Sequence, residues 1–299
     1  MRLRSLILVL ILIAGLCTGC AGSSAPAQIA ATTLPVYQFS AILCSGTGLR
    51  VTRLVTESVS CLHDYTLQVS QMRAIESAQV VVLSGAGLEE FLDDALSGAQ
   101  CVIDASAGIP LLCGETDEAH DHEGESEDAH GHHHENDPHI WLSPENAKIM
   151  AQNICDGLSR EFPSHQAVFQ ENLRSLTAQF DSLQAYGDAA LSDLSCRELI
   201  TYPDGFSYFA QAFDLTILEA IEEESGSEAS ARELIHLIEE VEHHRLPAIF
   251  TEKSGSVSAA GIISRETGCG SFPLDMAMAG DSYFDAMYHN INTIKEALE

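Results

Sequence analysis

His130, His132, His133 and His134 crowd into five residues of an acidic, glycine-containing tract, and His139 stands five residues farther on, directly after Pro138. Histidine is the commonest metal ligand among the side chains and binds as the neutral imidazole. The two placements suggest two uses. A dense run in a polar tract offers weak, exchangeable contacts, whereas a single histidine between a proline and an apolar turn is held in one place. Other ligand-type residues stand just beyond apolar runs that read as strands: His63 after LRVTRLV, Asp204 after CRELITYP and Asp275 after GSFPL. In open parallel sheets ligands bind beyond the carboxyl ends of the strands. Two positions in each half of the chain are therefore candidates to meet in one cleft.

The elements that would carry them alternate. QIAATTLP ends a strand, VYQFSAILCSG reads as a helix, LRVTRLV as a strand and TLQVSQMRAIESA as a helix; QVVVLSGAG follows as a buried strand, LEEFLDDALSG as a capped helix and QCVIDAS as a strand. Ser143-Pro144 opens a further helix, with serine as the cap and proline in the first turn. The stretch 164–194 has helical period throughout, weakened only at Gly187, and is long enough to join two lobes as a strut. The second half repeats the alternation from CRELITYP to the closing helix YFDAMYHNINTIKEALE, and Ser230 with Glu233 forms a capping box. The fold class expected is α/β: two lobes, each with a mostly parallel sheet flanked by helices, joined by the long helix. The divisions expected are 1–19 signal peptide, 20–27 tether, 28–162 first lobe with a histidine-rich loop at 115–136, 163–194 linker helix and 195–299 second lobe.

Composition narrows the function. MRLR followed by a twelve-residue apolar run suits an export signal and is too short for a membrane span. Cys20 in CTGC resembles a lipobox cysteine, although Cys17 stands where leucine is usual, so the mature chain is expected at the extracytoplasmic face of the cell membrane on a lipid anchor. The net charge is −30. That excludes nucleic acid as a partner and favours cations. No CxxC pair occurs among the remaining cysteines, which argues against a cysteine zinc site; outside the cytosol some disulfides are expected, with Cys61 pairing with Cys113 or Cys44. HENDPH is not HExxH, so a zincin protease is not supported. Trp141 reads as core, and His243-His244 as a helix end that favours the dipole.

DPHIWLSPENA is similar to the DPH-x-W-L-x-P-x-N motif of the substrate-binding lipoproteins of ABC transporters for zinc and manganese. HDYTLQVSQMRAIESAQVVVLSGAGLEEFLDDAL, FSYFAQAFDL and FPLDMAMAGDSYFDAMYHNINTIKEAL resemble other segments of that family, so the likeness runs over essentially the whole mature chain. It implies His63 and His139 as ligands from the first lobe and Asp275 from the second. One position departs: zinc members carry histidine and manganese members glutamate where this chain has Pro203. Asp204, an oxygen from Glu222 to Glu224, or water would then complete the shell. The resemblance also implies a monomeric receptor that delivers zinc, or with less support manganese, to a membrane permease and its ATPase, and makes no enzyme of it. His120, His122, His130, His132, His133 and His134, set among ten acidic residues at 115–137, would collect metal for the site. Two other classes stay open from the residues themselves: a zinc-dependent extracellular hydrolase with Asp204 or Glu222 as base, and a surface metal buffer or adhesin without a transport partner. Imidazole must be neutral to bind, so affinity is expected to fall as pH drops through about 6.5.

Overall fold

The computed structural model describes residues 27–57, 62, 65–112, 136–202, 204–220, 229–253 and 258–299. The export signal and Cys20, His63, Cys61, Cys113, the loop histidines, Pro203 and Glu222 to Glu224 lie outside the described residues.

The first sheet has four parallel strands, β1 (Ile29–Ala31), β2 (Val51–Arg53), β3 (Val80–Leu83) and β4 (Val102–Asp104), in the order β2-β1-β3-β4. Central strands of a parallel sheet are covered on both faces, which is why Ile29 to Ala31 and Val80 to Val82 are unbroken apolar runs and fully buried. The chain leaves β1 sooner than its apolar pattern suggests. Thr33 stands at the start of helix α1 (Leu34–Leu43) with its hydroxyl on Ser84 rather than on the helix, and Pro35 sits in the first turn, where its fixed φ suits a helix start. Helix α2 (Val69–Ser77) connects back to β3.

The expected capped helix LEEFLDDALSG is broken. A 3-10 turn, Glu90–Leu92, precedes a one-turn helix α3 (Asp93–Leu96), and no side chain caps either. The physical reason is Glu89, whose carboxylate turns back to accept from Ser84 N (2.7 Å) and Gly85 N (2.9 Å) instead of capping forward.

Helix α4 (Pro144–Glu161) starts as its sequence predicts, with Ser143 Oγ accepting from Asn146 N at 3.3 Å. Helix α5 (Gln166–Ala190) runs roughly 38 Å at 1.5 Å per residue. It buries Phe169, Leu173, Leu176, Phe180, Leu183 and Gly187 along one face and packs against α4, α1 and the last helix, so it is a spine inside the molecule rather than a bare strut. Gly187 is not a weakness there. A Cβ at that position would lie 2.2 Å from the Phe213 ring, so glycine is what lets the two approach.

The second sheet repeats the first. Strands β5 (Glu198–Tyr202), β6 (Thr216–Ala220), β7 (Ala248–Glu252) and β8 (Gly270–Leu274) are parallel in the order β6-β5-β7-β8. Its helices are α6 (Ser207–Ala212), α7 (Ala231–His244) with the Ser230/Glu233 capping box formed, α8 (Ser258–Thr267) and α9 (Tyr283–Leu298). One apolar cluster runs from Ile29 and Phe39 through Phe180 to Phe250, Leu274 and Tyr283, and so joins the two sheets. Phe39 meets Phe180 and Tyr283 edge-on, each at 5.1 Å.

The disulfide expectation is corrected in part. Cys44, Cys101, Cys155, Cys196 and Cys269 are free thiols. Cys44 is buried, and burial pushes its thiol up to about 12, which disfavours a thiolate there.

Candidate metal centre

The D-P-H segment builds its own geometry. Asp137 Oδ1 accepts the backbone N–H of His139 at 2.9 Å, a turn in which an aspartate holds the amide two residues on, while Pro138 fixes the backbone between them. The same oxygen lies 2.8 Å from His139 Nδ1, which therefore carries the proton. Nε2 is then the nitrogen that presents a lone pair. A carboxylate behind the imidazole of a metal-binding histidine fixes its tautomer and raises its basicity. Asp137 is 6% exposed, and its Oδ2 is buried without a hydrogen-bond partner.

The next three residues anchor His139. Ile140, Trp141 and Leu142 form a 3-10 turn buried completely in the core. Trp141 Nε1 donates to Met276 O at 2.8 Å, and the Tyr283 hydroxyl donates to Trp141 O at 2.8 Å. Both partners belong to the second half of the chain, so the His139 segment is fastened across the interface between the sheets.

Opposite it, the loop after β5 brings Asp204 and Gly205. Asp204 Oδ1 accepts from Gly205 N at 2.6 Å. Gly205 has φ +125°, and a Cβ there would lie 2.9 Å from His139 Cε1 and Nδ1 and 2.7 Å from Met276 Cε. Only the absence of a side chain lets this loop close on the imidazole. Burial pushes the Asp204 carboxyl above the usual carboxylate range and the Asp137 charge adds to it, while the Gly205 amide and His139 pull the other way. The negative charge of Asp137 and Asp204 on this side of the imidazole favours a cation nearby.

Asp275 stands at the carboxyl end of β8. Its backbone is clasped by the buried Asn290, which accepts from Asp275 N and donates to Asp275 O, both at 2.7 Å. One carboxylate oxygen accepts from Ala277 N at 2.9 Å, and the other lies 3.3 Å from Lys253 Nζ. The next residue, Met276, is the one that reaches Trp141 and Gly205. Among the described residues Gly205, next to Asp204, closes on the His139 ring, and Met276, next to Asp275, reaches both Gly205 and Trp141. No three histidine, cysteine or carboxylate side chains among the described residues close into a complete metal shell.

Sequence reasoning missed Asp137, Gly205 and Tyr208. The first could have been found as an aspartate two residues before a histidine and separated from it by proline. The other two carry no local signal.

The family model for ZnuA, zinc-uptake complex component A, periplasmic, matches residues 29–297. The chain belongs to the ZnuA family. The zinc-binding lipoprotein AdcA of Streptococcus pneumoniae is 26% identical over 284 residues, covering 91% of this chain and 56% of AdcA, so the chain spans little more than half of that relative. A relative from Treponema pallidum is 27% identical over 288 residues, with 92% of this chain and 90% of the other covered. A crystal structure of ZnuA superimposes with a TM-score of 0.76 at 28% identity, over 91% of this chain and all of that one. The ZnuA family is one of solute receptors working with ABC importers rather than of enzymes, and no described helix is long and apolar enough to cross a membrane.

Proposed function

We propose that this chain captures one zinc ion between its two sheets and hands it to an ABC permease with its ATPase, from a position at the outer face of the cell membrane secured by lipid on Cys20. The first ligand is His139 through Nε2. His63 supplies the second imidazole and Asp275 a carboxylate. Asp204 takes the place left by Pro203, which is supported by its neighbour Gly205 lying against the His139 ring. Two imidazoles suit zinc better than manganese, which prefers an oxygen shell. With both aspartates ionised, a dication would leave the shell neutral, which suits its partial burial. Asp275 must give up Lys253 to bind, and the exposed lysine can swing into water.

No bond in a substrate is made or broken. The protein's task is to hold the ion firmly and then release it, so what matters is how rigidly the ligands are set before the ion arrives. The histidines at 120–134 collect zinc and act as a monomer's own reservoir. The observation that carries this reading is the Asp137–His139 pair set against Asp204.

Competition titration with a chelator tests it on three forms: the intact soluble chain, one lacking residues 116–135, and His139→Ala. One tight zinc site that survives loop removal and disappears in His139→Ala is the expected result. Tight binding that leaves with the loop and survives His139→Ala would make the protein a surface buffer.

A further inference from the structure

The hydroxyl of Tyr208 closes a ring of three hydrogen bonds that no ligand assignment uses. Tyr208 lies in α6, four residues after Asp204, and is 1% exposed. Its oxygen accepts from Leu112 N at 2.9 Å, and its proton goes to Asp137 O at 3.2 Å. Leu112 O in turn accepts from Asp137 N at 2.9 Å. A hydroxyl has one proton to give and lone pairs to receive, so both of its roles are filled. Burial pushes the Tyr208 hydroxyl above its ordinary pKa, the Asp137 charge adds to that, and the Leu112 amide opposes it; the proton needed for the second bond stays in place.

The ring places one element in charge of both sides of the centre. The segment that runs into α6 brings Gly205, next to Asp204, against the His139 ring. Three residues beyond Gly205, Tyr208 grips the backbone of Asp137, whose carboxylate holds Nδ1 at the edge of the same ring. Imidazole and carboxylate are thus spaced by a single short span of chain, although they come from different halves of the molecule.

Resting on the reading of His139 as a zinc ligand, we propose that Tyr208 is a positioning residue: its hydroxyl fixes Asp137, and through it His139, relative to Asp204, and so sets how slowly the captured ion leaves. The ring itself packs in the core. The oxygen alone does the positioning, and removing it would take a partner from a half-buried N–H and from a buried C=O.

Tyr208→Phe keeps the ring and deletes the oxygen. In stopped-flow chase with excess chelator, zinc release should quicken about tenfold, which corresponds to about 1.4 kcal/mol. Capture should stay within about twofold, since related binders differ mostly in how fast they let go. The visible spectrum of the Co2+-loaded variant should keep the wild-type bands, because the ligand set is unchanged. Release at the wild-type rate, or a changed Co2+ spectrum, overturns the proposal. Should the variant fold poorly, amide exchange on the unaltered chain decides. Zinc should slow exchange at Leu112 and Asp137 at least tenfold, and no slowing there overturns it. His139→Ala separates this from the larger reading. If that variant still binds zinc tightly, the receptor site itself is wrong; if it loses the site while Tyr208→Phe releases zinc normally, only the positioning role falls.

Discussion

Asp137 does for His139 what the histidine cannot do for itself: it selects which nitrogen is left with its lone pair free, and restrains the ring. Its oxygen accepts two N–H groups of His139 at 2.8 and 2.9 Å. Asp137→Ala should therefore weaken zinc binding by about 10- to 100-fold, the usual effect of losing the carboxylate behind a ligating imidazole. Asp137→Asn should lose less, because the amide oxygen can still accept both. Competition against a chromophoric chelator checks the order, and equal affinities for the two variants would deny Asp137 this role. Gly205 offers a steric test at the same scale. Gly205→Ala would thrust a methyl group against His139 and Met276 at a positive φ, and should weaken zinc binding by at least about tenfold while the fold survives. Gly108→Ala is its control. Gly108 has φ +79° with nothing within 4 Å of a Cβ, so that change should lower stability by about 1 kcal/mol and leave affinity unchanged.

At the scale of elements, the loop after β3 holds a buried acid that the site does not use. Glu89 accepts from the Thr32 hydroxyl (2.6 Å), Ser84 N and Gly85 N, and so ties the carboxyl ends of β1 and β3 together. Burial pushes its carboxyl up to about 7; the three hydrogen bonds pull down and Asp104 pushes up, and burial wins. Between about 4.5 and 7 the folded protein keeps a proton that the unfolded chain has lost. Stability from this group is thus greatest at low pH, falls as pH rises through that window and is flat above it, by about 3 kcal/mol in all. Denaturant unfolding of metal-free protein at pH 5 and pH 8, wild type against Glu89→Gln, should show this decline only in the wild type. The same loop shows where sequence reading stops. Strand and helix order was legible because apolar runs, Ser143, Ser230 and their spacing are local signals. The break at Glu89 was not, since a glutamate before an amphipathic run looks like a cap until the amides of Ser84 and Gly85 are in place. Gly187 read as a weak point because its reason, Phe213, lies in another part of the chain. In the candidate site, Asp204 and Asp275 were legible as ligand types beyond strands, and His139 as a lone histidine held between a proline and an apolar turn. Tyr208 was not, because its partner Leu112 is 96 residues away.

Across the whole molecule, two sheets of one design share one large apolar cluster, and the His139 segment is woven into it. Trp141 is fully buried between Met276 O and the Tyr283 hydroxyl. Tyr283→Phe would leave Trp141 O unpaired in the core and should cost about 1–3 kcal/mol. Both halves should lose it together, seen as coincident unfolding by near- and far-ultraviolet circular dichroism. Separate transitions would mean that the halves fold independently and that the shared core contributes little. On the function proposed, a zinc ion sits between these halves with histidine from the first and carboxylate from the second. X-ray absorption at the zinc edge, on protein loaded with one equivalent, is the experiment that reads this shell itself. The expected result is a mixed nitrogen and oxygen shell at about 2.0–2.2 Å with the outer scattering of two imidazoles, one of which vanishes in His139→Ala. A shell containing sulfur, or one that His139→Ala leaves unchanged, would contradict it.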